Sequence, residues 1–344
     1  MQDEKVLTIP PFSHFFFKNC FYNALFPAVA FYKKSIEPFL ANELIYYYYD
    51  RTSNDNDKFV DIVSEPNKTL DVLLHNQYLE MRTQDYAKDL IHDLTAAVDL
   101  GRPILITVDS FYESVRNDCF MQKHLPHSLL VFGYTQAANQ FYVFEHRHRD
   151  SLQYKPVLLN KDELRRAYEG YQLNFSHFKD PPYSYYEFYP QGSDDMAQSQ
   201  VTDTQYWTAQ YANNILAGKN KITKGMKQFT IFVEDFAQLT EGDSFDIVLM
   251  QRILDRLSDI INVKTANKYL IDRLGSSCKD LPSRLGAIVG DWNSIRSIVA
   301  KYLYSSEYKP EYKKKLGDGL TRILVQEYEY VDLLFDVLAH EKFV

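Results

Sequence analysis

Runs of strand-type residues lie in the middle of this 344-residue chain, between stretches with helical patterns. Apolar, β-type runs predict strands at 103–109, 128–134 and 140–145, with another at 185–189 and a short one at 60–63. Helical spacing of apolar residues predicts helices at 20–34, 37–49, 69–80 and 84–100. Helices followed by an antiparallel sheet predict an α+β domain.

The second part of the chain has a helical pattern of apolar residues almost throughout. Apolar residues at helical spacing predict helices at 206–218, 222–239, 243–261, 263–274, 281–304 and 309–340. The segment 190–204 is polar and rich in turn residues, which is typical of a linker. We therefore predict two domains, an α+β domain at 1–190 and an all-α domain at 205–344.

Charge and cysteine usage exclude several classes of protein. The formal net charge is −8, which argues against a dedicated nucleic-acid binder. The three cysteines are Cys20, Cys119 and Cys278, and they are too few and too far apart for a disulfide framework. Neither a signal peptide nor an apolar stretch long enough to cross a bilayer is evident. These features predict a reduced, cytoplasmic protein that binds neither nucleic acid nor membrane.

Cys20 stands where an irregular segment meets an apolar helix. Unpaired N–H groups at a helix N-terminus stabilise a thiolate, so this is a suitable place for a nucleophilic cysteine. Pro27 implies either a kink in that helix or a later start. Taken alone, Cys20 is more simply explained as an inert buried cysteine.

Two further residues complete a possible catalytic set. His127 opens the second β-type run, where a general base can meet a thiol from another part of the chain. Glu145 ends the next run, and its carboxylate can hold the far nitrogen of the imidazole. The alternative for His127 is a hydrogen-bonded structural histidine, and the alternative for Glu145 is a solvated residue at the edge of the sheet. The order of Cys20, His127 and Glu145 is the order found in papain-like enzymes.

A metal site is the competing interpretation of the histidines. His124, His127, His146 and His148 form an H-x-x-H and an H-x-H pattern, and zinc accepts imidazole ligands. Neither spacing matches a specific zinc signature, so we predict no metal. Phosphate-binding glycine motifs are also missing from the sequence.

Several segments resemble those of a known family. They are Asn19-Cys20 before the apolar helix, 101–104 leading to Val108-Asp109, 127–134, and 141–145. With the helical second half, they resemble the cysteine-protease-like proteins typified by butirosin biosynthesis protein H, which are distant relatives of the bacteriocin leader peptidases. The resemblance implies a papain-like cysteine-peptidase-type fold for 1–190.

The resemblance also implies an activity. Family members look like bacterial acyltransferases of natural-product biosynthesis, which work through a thioester on the cysteine. The donor would be the phosphopantetheine arm of an acyl or peptidyl carrier protein, and the acceptor a small-molecule amine or water; no other cofactor is implied. Carried over, Cys20 is the nucleophile, His127 the base and Glu145 the orienting acid. Asp109 lies near the site without an assigned step.

The chain departs from the pattern at two positions. The leader peptidases have Asp where Glu145 stands, and a Gln six residues before the cysteine, where this chain has His14. The oxyanion donors are therefore expected among the Cys20 N–H, His14 and Asn19. Two alternatives remain open: a cysteine peptidase or amide hydrolase with the same residues, and a non-catalytic binding or assembly module on an old enzyme fold.

Overall fold

The computed structural model describes residues 4–52, 59–146, 152–178, 181–192, 204–239, 247–274, 280–305 and 310–340. The fold is α+β, and the sheet is antiparallel. The chain divides into two compact units. The sheet unit consists of Met1–Ile36 and Thr69–Thr202, and the helical unit of Glu37–Lys68 and Asp203–Val344.

This division corrects the predicted boundary, because residues 37–68 belong to the helical unit rather than to the first domain. The chain passes from the sheet unit into the helical unit at residue 37 and back into the sheet unit at residue 69. A boundary predicted from composition cannot detect such a crossing. Most of the predicted linker at 190–204 lies outside the described residues.

The described strands are β1 Glu4–Val6, β2 Glu43–Tyr48, β3 Asp61–Pro66, β4 Leu79–Gln84, β5 Ile104–Asp109, β6 Pro126–Thr135, β7 Gln140–Glu145, β8 Lys155–Asn160 and β9 Tyr185–Pro190. The described helices are α1 Cys20–Phe31, α2 Glu37–Ala41, α3 Leu70–His75, α4 Leu90–Asp99, α5 Lys161–Phe175, α6 Thr204–Ala217, α7 Lys219–Leu239, α8 Ile247–Ile271, α9 Asp280–Ser305 and α10 Pro310–His340.

The strands expected from apolar runs are confirmed as β3, β5, β6, β7 and β9. The helix predicted at 37–49 is wrong, because α2 ends at Ala41 and the Tyr-rich run that follows forms β2. Tyr47 is buried while Tyr48 is exposed, and every residue of this run pairs with β3, from Tyr48 opposite Asp61 to Glu43 opposite Pro66. The helices at 69–80 and 84–100 are shorter than expected, and β4 lies between them.

The structure differs from the predicted elements in three further places. β8 and α5 were not predicted, because 155–175 is polar and gives a weak apolar pattern. Two helices are predicted at 243–261 and 263–274, but the described residues Ile247–Ile271 form the single helix α8. Pro27 lies inside α1, which nevertheless begins at Cys20.

The sheet of the first unit has the strand order β4-β9-β5-β6-β7-β8, and β1 pairs with the end of β6. Helices α4 and α5 cover one core in which Leu94, Val98 and Tyr168 pack with Ile106 and Leu129 of the central strands. Burial of this apolar surface is the main stabilising contribution. This core fixes β6 and β7, whose ends supply His127 and Glu145.

The helical unit is not all-α, because the β2–β3 hairpin belongs to it. Its interior is partly polar. The Lys264 ammonium lies 2.8 Å from the Glu327 carboxylate, and the Tyr47 hydroxyl donates a 2.6 Å hydrogen bond to the same group. All three side chains are buried, so the hairpin provides a partner to a buried ion pair.

Candidate functional site

Cys20 is the first residue of α1, and the chain around it is held by side-chain amides. The Asn19 side-chain oxygen accepts a 3.1 Å hydrogen bond from the Phe21 N–H and caps the helix. Asn23, one turn into the helix, donates to the Phe15 carbonyl and accepts from the Phe17 N–H. The approach to Cys20 is thereby fixed by the helix itself.

The thiol of Cys20 has His127 and Ser128 as hydrogen-bond partners. Burial of the thiol raises its pKa, but the charge of His127 and these hydrogen bonds outweigh that effect, so the pKa lies below the usual value. A lowered pKa favours the thiolate, which is the nucleophilic form.

His127 and Glu145 are in direct contact. Nε2 of the imidazole lies 2.7 Å from Oε2 of the carboxylate, although the two groups lack the alignment of a full hydrogen bond. Because Leu130 lies opposite Phe144, Glu145 reaches His127 diagonally across the β6–β7 ladder. The long Glu side chain suits this diagonal. Nδ1 is then the imidazole nitrogen left for Cys20.

Glu145 is a buried carboxyl group, 2% exposed. Burial raises its pKa to about 7, against the opposing effects of the Arg116 guanidinium, a hydrogen bond with Glu113 and the His146 N–H. That N–H donates a 2.6 Å hydrogen bond to Oε1. The charge of Glu145 is therefore sensitive to pH near neutrality.

Sequence reasoning missed four residues of this site: Ser128, Tyr154, Glu113 and Arg116. Glu113 and Arg116 follow a short 3-10 helix at Ser110–Tyr112 and are 0% and 1% exposed. Asp118 binds the Arg116 guanidinium through two contacts of 3.0 and 3.1 Å. A carboxyl and a guanidinium in a turn-rich segment give no periodic signal, and only the fold shows that they are buried.

Asp109 lies in a neighbouring cluster. Its carboxylate is 2.6 Å from Nδ1 of His124 and accepts a 2.8 Å hydrogen bond from Asn174. It also accepts from the Phe111 and Leu125 N–H groups. These contacts hold the chain just before His127.

The side chains expected as oxyanion donors have other contacts. His14 is exposed, and its ring packs edge-on against Phe12 at 5.3 Å. The oxygen of Asn19 is used in the helix cap.

Two of the four histidines considered as metal ligands, His127 and His146, lie in this site. The possible ligand atoms of His127, Glu145 and His146 lie within 4.8 Å of one another. However, Nε2 of His127 and Oε2 of Glu145 already touch, and the Arg116 guanidinium lies 3.7 Å from Glu145. The Arg116 guanidinium thus already provides a positive charge beside the Glu145 carboxylate. His124 is bound to Asp109 instead, and His148 lies outside the described residues.

Comparisons with protein-family models and with curated proteins give no match to this chain. Within the part of the chain that the structure describes, no helix has the length and apolar character needed to cross a membrane. Cys20 and Cys119 both carry free thiols, and Cys278 lies outside the described residues.

Proposed function

We propose that this protein is a papain-like cysteine acyltransferase that forms a thioester on Cys20. The observation that supports it best is the half-buried Cys20 thiol at a helix N-terminus, whose pKa is lowered by His127 against the opposing effect of burial. The contact of Glu145 with the other side of His127 completes a Cys-His-Glu set.

In the first step, the Cys20 thiolate attacks the carbonyl carbon of an acyl thioester. The new C–S bond forms and the bond to the donor sulfur breaks, and His127 gives its proton to the leaving thiolate. In the second step, an amine attacks the Cys20 thioester. The C–N bond forms, the thiolate of Cys20 leaves, and His127 takes the amine proton. Glu145 stabilises the imidazolium in both steps.

The donor we propose is the phosphopantetheine arm of an acyl or peptidyl carrier protein, and the acceptor a small amine. Both follow from the family resemblance carried by Asn19-Cys20, 127–134 and 141–145. With water as acceptor, the same residues act as a thioesterase.

The test is turnover of acyl-pantetheine thioesters with a panel of amines, followed by mass spectrometry of the products. We expect Cys20→Ala to abolish product and His127→Ala to lower the rate by about 10²-fold or more. Cys119→Ala is the matched control, since Cys119 is a buried thiol without a step. Full turnover by Cys20→Ala would refute the proposal, and cleavage of peptides without thioester turnover would replace it with a peptidase.

A further inference from the structure

Two buried carboxyl groups meet beside the proposed catalytic histidine. Glu113 is fully buried, and it lies close enough to Glu145 for the charge of Glu145 to raise the pKa of Glu113. Among the described residues, no group donates an aligned hydrogen bond to either oxygen of Glu113 or to Oε2 of Glu145. Two such neighbouring acceptors leave buried lone pairs unsatisfied unless a proton lies between them.

The charges around the pair favour a single shared proton. Burial and the neighbouring Glu145 charge raise the pKa of Glu113 well above its usual range. Arg116 is 3.7 Å from Glu145, but Asp118 already balances its charge. Two ionised carboxylates would therefore face one balanced guanidinium, which is unfavourable in a buried site.

The ionisable groups facing the pair come from several elements. They are Cys20 of α1, Arg116 and Asp118 of the turn-rich segment, His127 of β6, His146 after β7, and Tyr154 before β8. His127 is the group whose charge the pair affects most directly, because it touches Glu145.

We propose that Glu113 is a positioning residue that shares one proton with Glu145 and so holds the ionised Glu145 carboxylate against His127. Glu113 donates the hydrogen bond, and Glu145 keeps the negative charge that favours the imidazolium. This inference rests on the proposed function only for its role in catalysis. The shared proton and its effect on the Cys20 thiol are properties of the resting protein.

The experiment measures the rate of Cys20 alkylation by iodoacetamide against pH, in the full-length protein. Glu113→Leu removes the donor, so Glu145 holds its own proton to higher pH and favours the His127 imidazolium less. The charge of His127 lowers the pKa of Cys20 more than the charge of Glu145 raises it, so the reactivity profile of Cys20 moves toward alkaline pH. A hydrogen bond to a charged group corresponds to a shift of roughly one to two pH units. Glu113→Gln still donates through its amide and keeps the profile close to that of the wild type.

Glu187→Gln is the matched control, because Glu187 is a buried carboxylate of the same sheet that is paired with Arg102 instead. Its profile stays that of the wild type. An unchanged profile in Glu113→Leu, or an equal shift in the Leu and Gln variants, would overturn the proposal.

Infrared spectroscopy gives a second measurement, which does not depend on the Leu variant being folded. We expect the band of a protonated carboxyl group at neutral pH, lost in Glu113→Gln and retained in Glu187→Gln. Absence of that change would overturn the proposal. Acylation of Cys20 with no effect of Glu113 would refute the positioning role alone, and the expected shifts without any acylation would refute acyl transfer alone.

Discussion

The reactivity of individual thiols separates Cys20 from Cys119. The pKa of Cys20 is lowered mainly by His127, against the cost of burial, whereas burial raises the pKa of Cys119. We expect iodoacetamide near pH 7 to label Cys20 at once and Cys119 only after unfolding, as read by peptide mass spectrometry. Equal labelling of both thiols in the native protein would contradict this difference.

The buried carboxyl at Glu145 makes a prediction for stability. Its pKa is raised from 4.5 to about 7, so the native state binds its proton more tightly than the unfolded chain. That contribution is complete below about pH 4.5 and is lost as pH rises through about 7.

Glu145→Gln therefore makes the fall in unfolding free energy between pH 5 and 8 less steep, which urea titrations at each pH measure. Glu113, whose pKa burial also raises, accounts for the slope that remains. Asp332→Asn, at an exposed position, leaves the slope as in the wild type. A slope as steep in Glu145→Gln as in the wild type would show that Glu145 holds its proton no more tightly in the native state than in the unfolded chain.

At the scale of elements, the cap of α1 links stability to reactivity. Asn19→Ala removes the side-chain oxygen that accepts from the Phe21 N–H, which costs about 1 kcal/mol of unfolding free energy. The loosened helix terminus also weakens the thiolate, so alkylation of Cys20 moves to higher pH.

Asn160→Ala is the matched control, because Asn160 caps α5 in the same manner through the Asp162 N–H. We expect a similar loss of stability with no change in the reactivity of Cys20. Equal reactivity profiles for the two variants would show that the cap of α1 has no part in the site.

Some of the strands and site residues could be predicted from the sequence alone, and others could not. Apolar runs with clear ends predicted β5, β6, β7 and β9, and Cys20, His127 and Glu145 were placed on the correct element ends. The helix predicted over the Tyr-rich segment 43–48 is wrong, because aromatic residues fit a helical or a strand period equally well when the buried face is unknown. Glu113 and Arg116 could not be found, because nothing local in a turn-rich segment indicates burial.

In the molecule as a whole, residues 37–68 belong to the helical unit, and their contacts there contribute to its stability. Tyr47 of the hairpin donates to Glu327 of α10, which also binds Lys264. Burial raises the pKa of Tyr47 well above its usual value, and the Glu327 charge adds to the effect. Residues far apart in sequence thus form one buried network.

We expect Tyr47→Phe to lower the unfolding free energy by about 1.5–3 kcal/mol, the value of a hydrogen bond to a charged group. Urea unfolding measures it, and Tyr48→Phe on the exposed face of the same strand is the control. An unaffected Tyr47→Phe variant would mean that the hairpin does not stabilise the helical unit through this network.

If Cys20 carries the acyl group in the reaction, a trapped adduct must be located on Cys20. The protein is mixed with an acyl-pantetheine thioester, quenched in acid within the first turnover, and mapped by peptide mass spectrometry. We predict one acyl group on Cys20, removed by neutral hydroxylamine as a thioester and missing from His127→Ala at the same time point. An adduct on another residue, or turnover with Cys20 unmodified at every time point, would contradict the claim.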